Sequence, residues 1–401
     1  MRTFDVVVIG GGMMGAPCAR HLAEAGHAVA LVAAPEPPDR RTADGPFASH
    51  HDAARITRRV AADADWSLLS RRSIARYADL EARSGRAIFR EVGAVMAGPA
   101  EGLMAGFVEG FRRVAEGLDA PRPAMIDAEG ARALGLALPS GSIVCHEASC
   151  AGWIDPRAMR AAQVALAARA GARVLAQAAV ARDGGTVTLA DGTRVVGAQV
   201  VVATGPHAAS DGLLPRRPAL RVWARTVAFA VLSEAEGARL AAMPSLIWVP
   251  EGWDHDLYLL PPVRYPDGRI RLKVGGQVDS PRIRSVEEMR DWYRGDGDAE
   301  VGARLLAEMR RVLPGLRVER VETGPCAVVW TETGYPYVER VDARMTILAG
   351  GNGAAAKCGD ELGRLGAMVA TGAGLAGEGY ACDFRVAWDD VRATSPRAAA
   401  T

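Results

Sequence analysis

Lysine is nearly missing from this 401-residue chain. Of its 48 basic residues only Lys273 and Lys357 are lysine, and every other one is arginine. The two cations are not interchangeable. Lysine carries a compact charge on a flexible stem and its pKa moves readily on burial, whereas arginine stays charged and asks for a planar, forked partner. Two lysines surviving in so arginine-rich a sequence mark positions where arginine would not serve.

Other absences narrow the class. The formal net charge is +1, so no global field draws in nucleic acid or an anionic membrane. No window reaches the uninterrupted apolar length of a membrane span. The N-terminus runs straight into Val6-Val7-Val8-Ile9 and a glycine turn, too soon for a secretory signal and its cleavage site. The C-terminal Ala-Ala-Ala-Thr carries no receptor-read address. Cysteine is sparse: Cys18, Cys145, Cys150, Cys326, Cys358 and Cys382 form no Cys-x-x-Cys pair, which points to reduced thiols in a reducing compartment. The cluster Cys145-His146-Glu147 with Cys150 lacks a second ligand pair at zinc spacing. The expectation is a cytoplasmic, monomeric protein without a metal, a nucleic-acid partner or a membrane contact.

What is present is a chain long enough for two or three domain-sized units, with an ordinary soluble balance of 49% apolar and 24% charged residues. Residues 4–9 form an apolar run typical of a strand buried on both faces. Gly10-Gly11-Gly12-Met13-Met14-Gly15 follows, then a helical pattern from Ala16 to Ala25 stopped by Gly26, then Ala28-Val29-Ala30-Leu31-Val32. This is a strand–turn–helix–strand unit with parallel strands. Residues 35–63 read as a long loop, of the kind that is often functional. Helices are predicted over 66–84, 156–170, 286–311 and 360–370. Short strands with hairpin signals fill 173–202, and 219–280 suggests an antiparallel sheet in a separate layer. The fold class is therefore α/β with an α+β substrate layer: a Rossmann-like nucleotide-binding domain plus an antiparallel-sheet domain. The first is expected over 1–90, 141–215 and 325–392, the second over 91–140 and 216–324, with 393–401 a disordered tail.

Gly10-x-Gly12-x-x-Gly15 sits directly after a strand and opens a helix. The first glycine permits the tight turn, the second lets backbone approach a pyrophosphate, and the third allows close helix–strand packing. The helix N-terminus adds unpaired N–H groups and a partial positive charge. In this context the motif points to a dinucleotide. The acid that should hold the adenosine ribose is missing: Ala33 stands there, with Glu36 three residues on.

The glycine turn, the strand end Ala203-Thr204-Gly205 and the late strand closing at Gly350-Gly351 suggest an FAD fold. Three motifs go further. Ser49-His50-His51-Asp52-Ala53-Ala54-Arg55-Ile56-Thr57-Arg58 is similar to a Ser-His-His-Gly-Asp-x-Arg-Ile-x-Arg segment, Leu272-Lys273-Val274-Gly275 to Leu-Lys-Ile-Gly, and Gly350 through Lys357 to a Gly-x-x-Gly-x-x-x-Lys turn. By these the chain resembles the D-amino-acid-oxidase superfamily, and within it the monomeric sarcosine oxidase branch. Both lysines of the chain fall on lysine positions of that pattern.

The resemblance implies FAD as cofactor, contacted by Gly10, Gly12, Met14, Gly15, Ala33, Ser49, His50, Val180, Thr204, Gly205, Gly351, Gly353 and Lys357. It implies catalytic roles beside the flavin for Lys273, which promotes reaction with oxygen, and for Arg55. Arg58 and Lys357 would bind the substrate carboxylate, with Tyr258 and Trp330 as pocket walls. The implied reaction is hydride transfer from the amine-bearing carbon of a secondary or cyclic amino acid to FAD, giving an imine, with O2 reduced to H2O2. Alternatives are a flavin amine dehydrogenase using another acceptor and a nicotinamide-dependent dehydrogenase. Two departures matter. The branch attaches FAD through a cysteine where Val328 stands, with Cys326 two residues early, so FAD is expected to be non-covalent. A histidine of the pattern is Gln277 here.

Overall fold

The N-terminal apolar run becomes the strand Arg2–Ile9, which lies between Val29–Val32 and Arg194–Val202 with all three parallel. The computed structural model describes residues 2–389; the expected tail at 393–401 lies outside them. Arg173–Leu175 and Met345–Ala349 extend the parallel order on either side, and antiparallel edges complete an eight-stranded sheet. The helix Gly15–Glu24 makes the crossover that parallel pairing requires. Side chains alternate across the pleat. Val7 and Ile9 join one core with Val200, Val202 and Ile347. Val6 and Val8 join another with Cys18, Leu22 and Leu362 of the helix Ala355–Ala370. Glycines let that helix lie directly on the glycine turn: a Cβ at Gly359 would stand 2.1 Å from the Met13 carbonyl oxygen.

A nine-stranded sheet forms the second layer, antiparallel except where Ser245–Trp248 runs beside Ala94–Pro99. At its centre Leu220–Leu232 pairs with Ile270–Gly276 on one side and Arg320–Thr331 on the other. One face is apolar: Ala228, Ala230, Leu257, Leu259, Leu272 and Val274 pack with Leu305 and Met309 of the helix Ala299–Val312. The alternate residues of the same strands face the other way, among them Arg225, Tyr258, Lys273, Cys326, Val328 and Trp330.

The structure departs from expectation in four places. The helix of 66–84 is two, Ala64–Ile74 and Tyr77–Ser84; the break turns Tyr77 inward, where its hydroxyl meets Thr57. The helix of 286–311 divides into Val286–Arg294 and Ala299–Val312 around Gly297, whose φ of +78° is left-handed. The last helix begins at Ala355, because a Gly-Ala-Ala-Ala run that resembles a turn is strongly helix-forming at its alanines. The expected boundaries at 141 and 325 also shift: Ser142–Glu147 and Arg320–Thr331 both belong to the antiparallel sheet, held there by partners distant in sequence.

Candidate cofactor and substrate site

The three motif glycines differ in what surrounds them. A Cβ at Gly10, where φ is +104°, would stand 2.3 Å from the Ala203 carbonyl oxygen, and one at Gly15 would stand 1.8 Å from that of Gly10. Both are sealed by backbone. At Gly12 a Cβ would meet only the His50 ring, so this glycine opens toward a ligand. Met14 is the N-cap of the following helix and provides no side-chain cap. The helix Ala355–Ala370 is likewise uncapped, whereas Asp63, Asp155, Ser285 and Asp298 cap their own helices. Two uncapped first turns beside an open glycine form a cradle whose unpaired N–H groups suit an anion such as a pyrophosphate.

His50 closes this cradle. Its Nε2 is buried without a partner among the described residues, and burial, with the charges of His51 and Arg160, holds the ring well below its ordinary pKa. A neutral ring with an orphaned nitrogen fits a cofactor atom the structure does not hold. Ala33 packs under Gly11, where a Cβ would come within 2.4 Å of its own, so it contributes no ribose contact through its side chain. Glu36 is engaged by Arg157 and lies 3.4 Å from His51. Thr204 and Gly205 adjoin Gly10 through Ala203, and the Thr204 hydroxyl donates to Asp211. Val180 lies exposed on the edge strand Ala179–Asp183, five residues after Leu175, whose carbonyl accepts from the Ala33 amide.

The loop after the second strand crosses to the polar face of the antiparallel sheet. Ser49 is tied there by its hydroxyl, 2.7 Å from the Tyr293 hydroxyl and 2.8 Å from the Ala327 carbonyl to which it donates. Asp52, to which the sequence assigns no role, is the centre of the next cluster. It accepts from Lys273 Nζ at 2.8 Å, from the Tyr265 hydroxyl at 2.8 Å, and from Arg55. Lys273 also donates to the Ala54 carbonyl, and Arg55 to that of Ser49. Burial opposes ionisation of Asp52, but Lys273 and Arg55 hold its carboxyl well below the usual range. Burial and the charge of Arg55 push the Lys273 ammonium down to about 8, against the pull of Asp52. In the family segment quoted above, Asp52 occupies the glycine position and Ala53 the aspartate position, so the acid stands one residue early.

Arg58 and Lys357 form a second cluster. Arg58 is buried, donates to the Val60 carbonyl, and lies 5.0 Å over the Phe111 ring, while its Nε has no partner. The loop is fastened next door by Glu147, fully buried, which accepts from Arg59 Nε at 2.7 Å and from the Val60 amide at 3.1 Å. Glu147 of the Cys-His-Glu cluster is thus an anchor for the loop just past Arg58. Lys357 lies on the first turn of the last helix, buried, and makes no side-chain hydrogen bond or ion pair among the described residues. Burial and the charge of Arg58 push it down to about 8. The preceding turn holds Gly351 and Gly353 and is tied to Thr331 by Asn352, whose left-handed φ of +44° asparagine tolerates.

The Tyr258 ring lies across Gly275 and 5.8 Å from Lys273 Nζ. A Cβ at Gly353 would stand 3.8 Å from Val328 Cγ2, so Val328 faces that turn, while Cys326 Sγ sits 3.8 Å from Arg55. Trp330 shares their face, half-buried. Gln277 is exposed just past its strand. Sequence reasoning also passed over Arg225 and Asp256, which alternation places on this same face; one more arginine among so many gave no signal.

Comparison with known proteins gives the family and the fold. The family model for FAD-dependent oxidoreductases of the DAO type matches residues 5–374. A monomeric sarcosine oxidase of Streptomyces avermitilis is 33% identical over 213 residues, 51% of this chain and 53% of that protein; the chain spans about half the length of this curated relative. NikD, an unusual amino acid oxidase essential for nikkomycin biosynthesis, superposes with a TM-score of 0.73 at 21% identity, over 97% of this chain and 98% of that one. Iminodiacetate oxidase from Chelativorans sp. BNC1 superposes at 0.67 and 21%, over 92% and 96%. The chain belongs to the DAO family of FAD-dependent oxidoreductases.

Proposed function

We propose that this chain oxidises a small secondary or cyclic amino acid at its amine-bearing carbon and passes the electrons to dioxygen. The observation that carries the reading is convergence: both lysines of the chain, with Arg55 and Arg58, lie around one sheet face beside the glycine cradle. Bound FAD supplies the hydride acceptor. The carbon loses a hydride and the nitrogen a proton, leaving an imine; dioxygen takes up two electrons and two protons as hydrogen peroxide. Arg58 and Lys357 hold the substrate carboxylate and so orient the reacting carbon. Lys273 and Arg55 put two cations against the single charge of Asp52, an excess that favours negative charge developing beside them. Tyr258 and Trp330 wall the pocket. With valine at position 328, FAD is held by contacts alone.

Anaerobic mixing with N-methyl and cyclic amino acids is expected to bleach the flavin, and admission of air to restore it. In Lys273→Met bleaching persists but restoration slows by on the order of 10²-fold or more, the loss of about 3 kcal/mol from a positioned charge. Equal reoxidation in parent and variant removes the oxygen role. A second reading, with an acceptor other than oxygen, is favoured by one observation: Asp52 partly neutralises Lys273 at 2.8 Å. Slow reoxidation of the parent itself would select it.

A further inference from the structure

The second cluster holds more positive charge than one carboxylate can answer. Arg58 Nε and Arg225 Nη1 are buried without partners among the described residues. Arg225 makes no hydrogen bond or ion pair among the described residues, and neither does the Lys357 side chain. Glu147 is occupied by Arg59 and the Val60 amide. The free acid here is Asp256, half-buried at the start of Leu257–Arg264. It lies close enough to Arg58 and Arg225 for both to oppose the rise that burial imposes on its carboxyl, yet it pairs with neither.

Arg225 is placed by the sheet. It faces Cys326 across the strand pair, and two residues on Val227 is level with Gly275, over which the Tyr258 ring lies. It is therefore on the pocket face, across Tyr258 from Lys273. Burying a guanidinium nitrogen with no acceptor is costly, and such atoms in a folded protein normally have a partner. Burial lowers Arg225 to about 10, so it is still charged at neutral pH.

We propose that the pocket is built for a dicarboxylic amine: Arg58 and Lys357 take the carboxylate beside the reacting carbon, and Arg225 takes a second carboxylate on the same molecule. This rests on the amine-oxidising reading of the site. Three cationic groups face one carboxyl, Asp256, whose ionised form burial disfavours, so positive charge is left over for two substrate carboxylates.

The test uses the FAD-loaded protein at neutral pH. Succinate, glutarate and adipate are each titrated against the monocarboxylate of the same carbon number, with the visible absorbance of bound FAD as the readout. At least one diacid is expected to bind roughly 10- to 100-fold more tightly than its monoacid, the worth of one hydrogen-bonded charge. In Arg225→Met that ratio collapses toward one, and Arg225→Lys retains part of it. A parent ratio near one for every pair, or a ratio unchanged in Arg225→Met, overturns the proposal. Anaerobic bleaching by N-(carboxymethyl)glycine and N-methylglycine then separates the two levels. Equal efficiency with both overturns the diacid preference and leaves amine oxidation standing. If neither these nor cyclic amino acids bleach the flavin, amine oxidation fails and the diacid proposal falls with it.

Discussion

At the scale of single residues, one carboxylate sets the behaviour of two cations. Asp52 shares itself between Lys273 and Arg55, so Lys273, already lowered to about 8 by burial and by Arg55, is the group nearest to losing its proton. Its charged form exists below that value. Reoxidation that depends on this charge should fall as pH rises through about 8. In Asp52→Asn the anion that retains the proton is gone, so the fall should move to lower pH, a shift that loss of packing alone would not produce. The same substitution leaves two buried cations without their acid and should cost about 3–5 kcal/mol of stability. Stopped-flow reoxidation from pH 6 to 10 checks the first effect and denaturant unfolding the second. A parent profile flat through pH 8 contradicts the role of the Lys273 charge. Residue chemistry was unevenly legible. Lys273 and Lys357 stood out because lysine is otherwise absent. Asp52 was hidden by standing where the family pattern has glycine. Glu147 had no role once its cluster was set aside as a metal site, and only its burial against the Arg59 guanidinium and the Val60 amide shows what it fastens.

At the scale of elements, periodicity located most of what mattered: Arg2–Ile9, Gly15–Glu24 and Val29–Val32 follow their hydrophobic patterns to within two residues. What periodicity could not show is how the last helix meets the first. The contact depends on Gly359 and Gly363, whose Cβ atoms would stand 2.1 Å from the Met13 carbonyl oxygen and 2.6 Å from the Cys18 amide nitrogen. Those neighbours are more than 340 positions away and leave no local trace. In an ordinary helix Gly→Ala gains about 0.5–1 kcal/mol. At Gly359 the clash is with backbone of the cofactor turn itself, and overpacking costs about 1–3 kcal/mol, so the sign reverses. Gly359→Ala should lower stability and weaken FAD binding together, because the displaced turn is the one that faces the pyrophosphate. Gly374→Ala, where a Cβ meets nothing within 4 Å, is the control expected to leave both unchanged. Denaturant unfolding and FAD titration of the apoprotein measure the two effects. A stabilised Gly359→Ala variant would show that the two helices are free to separate at the turn.

At the scale of the whole molecule, the cofactor cradle lies where both sheets meet. The core of Val7 and Ile9 continues into Leu220, Val222, Ala327 and Val329 of the antiparallel sheet, and the loop carrying Ser49, Asp52 and Arg58 spans from one sheet to the other. FAD held there touches only the folded arrangement, so its binding energy becomes folding energy. The manner of attachment decides how. A cofactor held by contacts stabilises in proportion to the logarithm of its free concentration, about 1.4 kcal/mol for each tenfold increase above its dissociation constant. A cofactor joined by a bond does not depend on free FAD at all. Val328 faces the Gly353 turn, where the family's attachment position falls, and the nearest thiol, Cys326, is directed instead to Arg55 and Ser49. The unfolding midpoint should therefore rise steadily with added FAD, and acid precipitation should release the yellow colour to the supernatant. A midpoint indifferent to FAD, with the flavin retained in the pellet, would mean that Cys326 reaches the cofactor after all and that the loop holding Arg55 moves aside to let it.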